Sequence, residues 1–304
     1  SPQPSPAGRG GDGRSKCRSD GVTRHTSRQP HVLLRLAVMP EKSSQSSRPV
    51  QSTRPQRVQL FVTCLVDQFR PEVGESVVNV LERLGVNVEF PEGQTCCGQP
   101  AFNSGFRNEA RDVARHFLDV FDATEGPIIV PSGSCGAMVR NFYSEMFEDD
   151  PAERERARRV GERIYEFTEF LEDVLGEDEP YLNLGAKLED TATYHQCCHL
   201  ERELGVDHQP QELLRQVEGL QMLPMTRPEV CCGFGGTFAV KFSDVSTAML
   251  DEKLDNAAAT GASTIVAGDT GCIMHMAGGL RRRGSGQQVR HIAEILDEAS
   301  GAQA

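Results

Sequence analysis

From Val58 onward the chain switches repeatedly between two hydrophobic periods. VQLFVTC (58–64) is a short apolar run rich in β-branched residues that ends on Cys64. PEVGESVVNVLERLG (71–85) then spaces its apolar residues three and four apart and closes on Gly85. The first pattern predicts a buried strand and the second an amphipathic helix with a glycine stop. VNVEF (86–90) predicts a second strand leading into CysCysGly at 96–98, and FRNEARDVARHFLDVFDATEG (106–126) a second helix. GPIIVPSGSC (126–135) predicts a third strand reaching Cys135, and AMVRNFYSEMF (137–147) a third helix. Strands that alternate with helices predict an α/β unit with a parallel sheet.

The same order returns after residue 189. TATYHQCCHL (191–200) reads as strand then cysteine, QELLRQVEGL (211–220) as helix, and LQMLP (220–224) as a short strand before CysCysGly at 231–233. SDVSTAMLDEKLDNAAATG (243–261) reads as helix, and ASTIVAGDTGC (262–272) as a strand reaching Cys272, with a helix to follow. With Cys64 aligned to Cys198, 31 and 32 residues precede the two CysCys pairs, and 37 and 39 separate those pairs from Cys135 and Cys272. Agreement at this level implies an internal duplication. The expected architecture is α/β: two duplicated Rossmann-like halves with parallel sheets and cysteines at the carboxyl ends of the strands. The first repeat spans 58–147 and the second 190–304. Residues 148–189, with ERERARRVGERIYEFTEFLEDVLG, are expected to form a helical connector.

Charge sets the first 57 residues apart. They carry net +8 within a chain of net −12, which leaves −20 for residues 58–304. Their Ser, Pro, Gly and Arg content, without apolar period, predicts a disordered basic tail. An acidic body excludes nucleic acid as the natural partner. The chain shows no apolar run long enough for a transmembrane segment; VLLRLAV (32–38) is short and interrupted by Arg35. A cytoplasmic setting follows as an expectation. There thiols stay reduced, and clustered cysteines point to metal or redox chemistry.

Open parallel sheets bind ligands beyond the carboxyl ends of their strands. Cys64, Cys96, Cys97 and Cys135 are therefore expected to converge, and so are Cys198, Cys231, Cys232 and Cys272. Four thiolates suit an iron–sulfur cluster or zinc. Zinc sites usually draw on CxxC knuckles, which this chain lacks, and vicinal cysteines on a glycine loop favour a larger centre. GFGGTF (233–238) lacks the spacing of a dinucleotide fingerprint and reads as a glycine loop shaped around such a centre. No P-loop, GxSxG or HExxH occurs. Arg281, Arg282 and Arg283 read as a helix C-terminus favoured by the dipole, with an anion site as the alternative.

The stretches FVTCLVD, FPEGQTCCGQPAFNSG, PSGSCGAMV, YEFTEFL, TYHQCCHL, CCGFGGTFAVK, GDTGCIMHM and HIAEIL resemble the CCG cysteine-rich family over about residues 58–299. That family includes the CCG-bearing subunit of heterodisulfide reductase, the glycolate oxidase iron–sulfur subunit and the iron–sulfur component of L-lactate oxidation systems. The resemblance implies an oxidoreductase component that carries electrons while L-lactate becomes pyruvate. It also implies two partners, a ferredoxin-like iron–sulfur subunit and a third small subunit. The eight aligned cysteines are the implied ligands. Heterodisulfide reductase subunits hold a noncubane cluster with a fifth cysteine three places beyond the fourth. Here those places hold Met138 and His275, which leaves four thiolates per repeat for a 4Fe-4S centre, one or two per chain. The other readings are a heterodisulfide-cleaving enzyme, a glycolate-oxidase-like iron–sulfur subunit and a zinc-stabilised scaffold. His195 and His199 are the candidate catalytic groups for proton transfer. Cys197 reads as a spare thiol or a small residue in place of Ser, and Cys17, in the tail, has no assigned role.

Overall fold

The computed structural model describes residues 54–176 and 184–301. The basic tail expected over 1–57 lies outside the described residues as far as residue 53. The first half runs β1 (Arg57–Leu60), α1 (Cys64–Phe69), α2 (Pro71–Arg83), β2 (Asn87–Glu89), α3 (Gln99–Asn103), α4 (Arg107–Phe121), β3 (Ile128–Val130) and α5 (Gly133–Ala137). It continues through a π-helical turn, Met138–Phe142, into α6 (Tyr143–Met146), α7 (Pro151–Glu162), β4 (Ile164–Glu166) and α8 (Phe167–Glu169). The second half runs β5 (Lys187–Tyr194), α9 (Gln209–Arg215), β6 (Glu218–Met222), α10 (Thr237–Lys241), α11 (Ser243–Ala258), β7 (Thr264–Ala267), α12 (Thr270–Arg283), β8 (Gln288–His291) and α13 (Ile292–Gly301).

Each half builds a four-stranded parallel sheet, in the orders β2-β1-β3-β4 and β6-β5-β7-β8. The matching order is what a duplication produces. It also puts a topological switch between β1 and β3, and another between β5 and β7, where the chain leaves the two neighbouring strands in opposite directions. Cys64 and Cys135 follow β1 and β3, and Cys198 and Cys272 follow β5 and β7. The sites therefore lie at the sheet edge where open α/β sheets bind their ligands.

The amphipathic faces of α2 and α13 bury a core shared by both halves, with Val77 and Leu81 of α2, Ile129 of β3, Ala192 of β5, and Ile292 and Leu296 of α13. Arg70 pairs with Glu294 at 2.8 Å across this seam. On the outer faces, Phe117, Phe121 and Tyr143 fill one core and Leu250, Ile273 and Met276 another. Among the described residues, no helix is long and apolar enough to cross a membrane.

The structure differs from the sequence expectation in the connector, in the strand ends and in β8, which the sequence pattern does not predict. Residues 148–189, expected as a helical connector, hold α7 but also β4, the fourth strand of the first sheet, and β5 already begins at Lys187. Ile164–Glu166 is a wholly buried three-residue strand, too short to show a period of its own between two helical stretches. Strand pairing also ends earlier than expected. β1 stops at Leu60, Cys64 opens α1, and Cys135 lies inside α5.

β4 ends on Glu166, which is fully buried and forms a capping box with Glu169. One carboxylate oxygen accepts from the Thr168 N–H at 2.7 Å and from the Thr168 hydroxyl, while the other has no partner among the described residues. Burial pushes the carboxyl up to about 8, against the hydrogen bonds that favour its charged form. A proton bound more tightly in the folded state stabilises fully below the unfolded carboxyl range. That contribution is lost as pH rises through about 8. Glu166→Gln is expected to flatten the decline of the metal-free thermal midpoint between pH 5 and pH 9, measured beside the parent chain; parallel curves would refute this.

Candidate metal centres

In the first half, side chains tie three loops together. Gln94 accepts from the Val62 N–H at 2.9 Å and donates to the Leu60 carbonyl at 3.0 Å, which joins the end of β1 to the CysCys loop. Gln99 donates to the Ser134 carbonyl at 3.1 Å, and the Tyr143 hydroxyl to the Cys97 carbonyl at 2.8 Å. Gly98 takes φ +81°, which a side chain resists, and aims its N–H at Cys96 Sγ, 3.4 Å away. Cys64 Sγ donates to Cys96 Sγ at 3.6 Å. Cys97 hydrogen-bonds to Cys135 and Cys96. All four predicted thiols of this half therefore come together.

The second half repeats the arrangement. Gly233, at φ +87°, aims its N–H at Cys231 Sγ from 3.4 Å, Cys232 Sγ donates to Cys272 Sγ at 3.1 Å, and Cys198 bonds to Cys231. Burial repeats as well. Cys97, Cys135, Cys232 and Cys272 are buried, whereas Cys64, Cys96, Cys198 and Cys231 are half-buried. Each quartet thus has a closed floor and an open rim. Gly233 has no room for a side chain, because a Cβ there would stand 2.5 Å from the Ser246 carbonyl oxygen, whereas one at Gly98 would meet nothing closer than 3.4 Å. Gly233→Ala is expected to cut metal uptake by the second half and lower the thermal midpoint, and Gly98→Ala to do less of both, as read by metal analysis and calorimetry.

Electrostatics assign the thiols different parts. Hydrogen bonds from Cys64 and Cys97 hold the Cys96 thiol down to about 3, and bonds from Cys198 and Cys232 hold Cys231 down to about 2. Cys64 and Cys198 are pushed up by donating to those same sulfurs. Cys97 and Cys272 are raised first by their sulfur hydrogen bonds, and Cys232 by its bond to Cys231 against an opposing one to Cys272, with burial adding to each. One thiolate per quartet forms readily, while Cys64 and Cys97 beside Cys96, and Cys198, Cys232 and Cys272 in the second quartet, are held toward the protonated form, since several anions cannot share a buried site. A soft, positively charged centre that binds through sulfur reverses this balance, and the residues fit one.

The two histidines differ in their surroundings. His199 lies with Nδ1 3.6 Å from Cys198 Sγ. His195 is 1% exposed, and among the described residues neither ring nitrogen has a hydrogen bond of regular geometry, although Cys197 interacts with the ring. His275 hydrogen-bonds to Ser246 at 3.2 Å, and Met138 is buried in the first-half core; neither residue carries a thiol. Arg283 pairs with Asp251 and Asp255 of α11 at the end of α12, as the helix-terminus reading expects.

Sequence reasoning left two site residues without a role. Cys197 is buried in the second site, its thiol held down to about 6 by Cys272 and, against burial, by the nearby His195. Asp269 caps α12 by accepting from the Gly271 N–H at 3.0 Å and the Cys272 N–H at 3.4 Å. It also accepts from the Ser132 hydroxyl at 3.1 Å and the Ser134 N–H at 2.9 Å in the first half. The Asp three places before Cys in GDTGC is a helix N-cap signal that marks the first of these roles.

The model of the cysteine-rich CCG domain matches residues 58–140 and again 192–277, once over each half. The chain belongs to the CCG cysteine-rich family. It is 47% identical over 240 residues to lactate utilization protein A 2 of Bacillus cereus (strain Q1), covering 79% of this chain and 97% of that one. Lactate utilization protein A of Bacillus licheniformis (strain ATCC 14580) is 45% identical over 241 residues, 79% of this chain and 99% of that one. Among solved structures, a hypothetical protein from Helicobacter pylori matches with a TM-score of 0.56 at 10% identity. The match covers 82% of this chain and half of that one, and it supports the α/β fold alone.

Proposed function

We propose that this family member is an iron–sulfur subunit that carries electrons during oxidation of L-lactate to pyruvate. The observation that carries the reading is the pair of sulfur quartets, each with a thiolate held by a glycine N–H and a buried floor under a half-exposed rim. The curated relatives, matched over nearly their whole length, are named for lactate utilization. A bound iron–sulfur centre supplies reversible one-electron storage.

The chain's own residues set the conditions for that chemistry. Cys64, Cys96, Cys97 and Cys135 would hold one centre, and Cys198, Cys231, Cys232 and Cys272 the other. The buried pairs exclude water from one side, and the half-exposed pairs face the route by which electrons enter or leave. Oxidation of lactate to pyruvate releases two electrons and two protons, and a centre held by each quartet would supply one-electron capacity, two electrons per chain. The partners this reading calls for are a ferredoxin-like iron–sulfur subunit and a third small subunit, in the cytoplasm.

Iron, sulfide and zinc per chain, measured after anaerobic purification together with electron paramagnetic resonance of the oxidised and reduced forms, test the reading. Iron with matching sulfide and a reducible signal is the expected result. Zinc without a redox signal after attempted reconstitution would leave a scaffold, and turnover of a mixed disulfide by the isolated chain would favour a heterodisulfide reductase.

A further inference from the structure

The two halves differ at one loop in a way the duplication does not require. β1 ends at Leu60 before Cys64 and β5 ends at Tyr194 before Cys198, so Phe61 occupies the place of His195, and Thr63 that of Cys197. Phe61 packs edge-on against Phe117 at 4.8 Å and Phe121 at 5.7 Å, inside the first-half core. His195 is buried to the same degree but carries two polar nitrogens, neither in a hydrogen bond of regular geometry, and the side chain that interacts with its ring is Cys197. An unsatisfied buried polar group is costly, and a water or ion that completes it is one of the few physical explanations for its retention.

The donor atoms of His195, Cys197 and Cys272 all lie within 4.8 Å of one another. Both sulfurs are buried, and Cys272 is also in contact with Cys232 at 3.1 Å. Imidazole and thiolate together suit a borderline-soft divalent transition metal. We propose that the second half binds its metal through His195 and Cys197 together with Cys272, a mixed nitrogen–sulfur set that the first half lacks. The inference rests on the reading that the cysteine quartets hold metal. The ion is either an iron of the second centre or a lone Zn2+. In both cases the two halves hold chemically different centres, because the first half offers sulfur alone.

The test uses the full chain with Cys97→Ser and Cys135→Ser, so that only the second half binds metal. Loaded with Zn2+, it is expected to show X-ray absorption from a nitrogen scatterer at about 2.0–2.1 Å beside sulfur at about 2.3 Å. His195→Phe, which installs the first-half residue, is expected to remove the nitrogen shell. It should also weaken Zn2+ binding by at least the roughly 10–100-fold that losing even an outer partner of a ligand costs. Cys197→Thr, the second variant should His195→Phe fail to fold, is expected to lower the sulfur count by one. In the iron-loaded protein, pulsed electron paramagnetic resonance is expected to show 14N coupling that His195→Phe abolishes. Sulfur-only scattering in the parent, unchanged affinity in both variants, or no Zn2+ uptake by the second half would overturn the inference. Zinc bound with a nitrogen shell but no iron would sink the electron-transfer reading and leave this ligand set standing.

Discussion

Asp269→Ala is expected to lower the thermal midpoint of the metal-free chain by roughly 10 °C and to reduce metal loading in both halves at once. Asp269 is 5% exposed and serves two structures. One oxygen caps α12 at the turn that carries Cys272, and the other accepts from Ser132 and Ser134 at the turn that carries Cys135. Loss of a cap costs about 0.5–2 kcal/mol. A hydrogen bond to a charged group contributes about 1.5–3 kcal/mol, and a donor left buried without a partner adds its own desolvation penalty. The Ser132 hydroxyl can still turn to Ser134 Oγ at 3.3 Å, whereas the Ser134 N–H loses the partner the structure gives it. A total of about 3–5 kcal/mol places this among the largest effects of single substitutions, and a domain of this size shifts by roughly 2–4 °C per kcal/mol.

Asp269→Asn separates the two roles. Its amide oxygen can still cap α12, but its NH2 then meets the Ser134 N–H, donor against donor. The expected result is a second-half site that loads almost normally beside a weakened first-half site. A midpoint for Asp269→Ala within roughly 2 °C of the parent, less than about 1 kcal/mol, would show that the two cysteine turns do not depend on this carboxylate.

What the sequence made legible followed from periodicity and spacing. The run from VQLFVTC to Cys135, repeated from TATYHQCCHL to Cys272, was enough to place eight thiols at two sheet edges, and the structure brings each four together. The fourth strands were not legible for a physical reason. Ile164–Glu166 and Gln288–His291 span only three and four residues, and each is followed at once by a helix, so neither alternation nor length distinguishes it. The capping contacts at their ends, Glu166 with Glu169 and the His291 N–H with Glu294, show that these edges too are duplicated. Asp269 could be read as a helix cap but not as a bridge, because its contacts to Ser132 and Ser134 exist only once the halves have docked. Cys197 stood outside the repeat alignment and so appeared spare. Its place beside Cys272 depends on how the loop after β5 turns.

Serine at the buried cysteine of one half is expected to remove one centre and leave the other. Cys97 and Cys232 are 1% and 2% exposed, on the closed floors of their sites, and each contacts other sulfurs of its quartet. A hydroxyl is a harder donor that stays protonated where a thiolate would bind, so the soft metal loses a corner. The fold should survive, because each sulfur is replaced by a slightly smaller polar group at a cost of about 1–3 kcal/mol. Iron and sulfide per chain should therefore fall to half in Cys97→Ser and in Cys232→Ser, and to nearly nothing in the double variant, with far-ultraviolet circular dichroism unchanged. Reduction of each single variant should then show only the resonance of the surviving half. If Cys97→Ser alone empties the chain of iron, a single centre shared by both quartets replaces the two-centre reading. The Asp269 bridge would then be part of that centre's wall, and the uptake of two electrons from lactate would have to be divided between this chain and its partners.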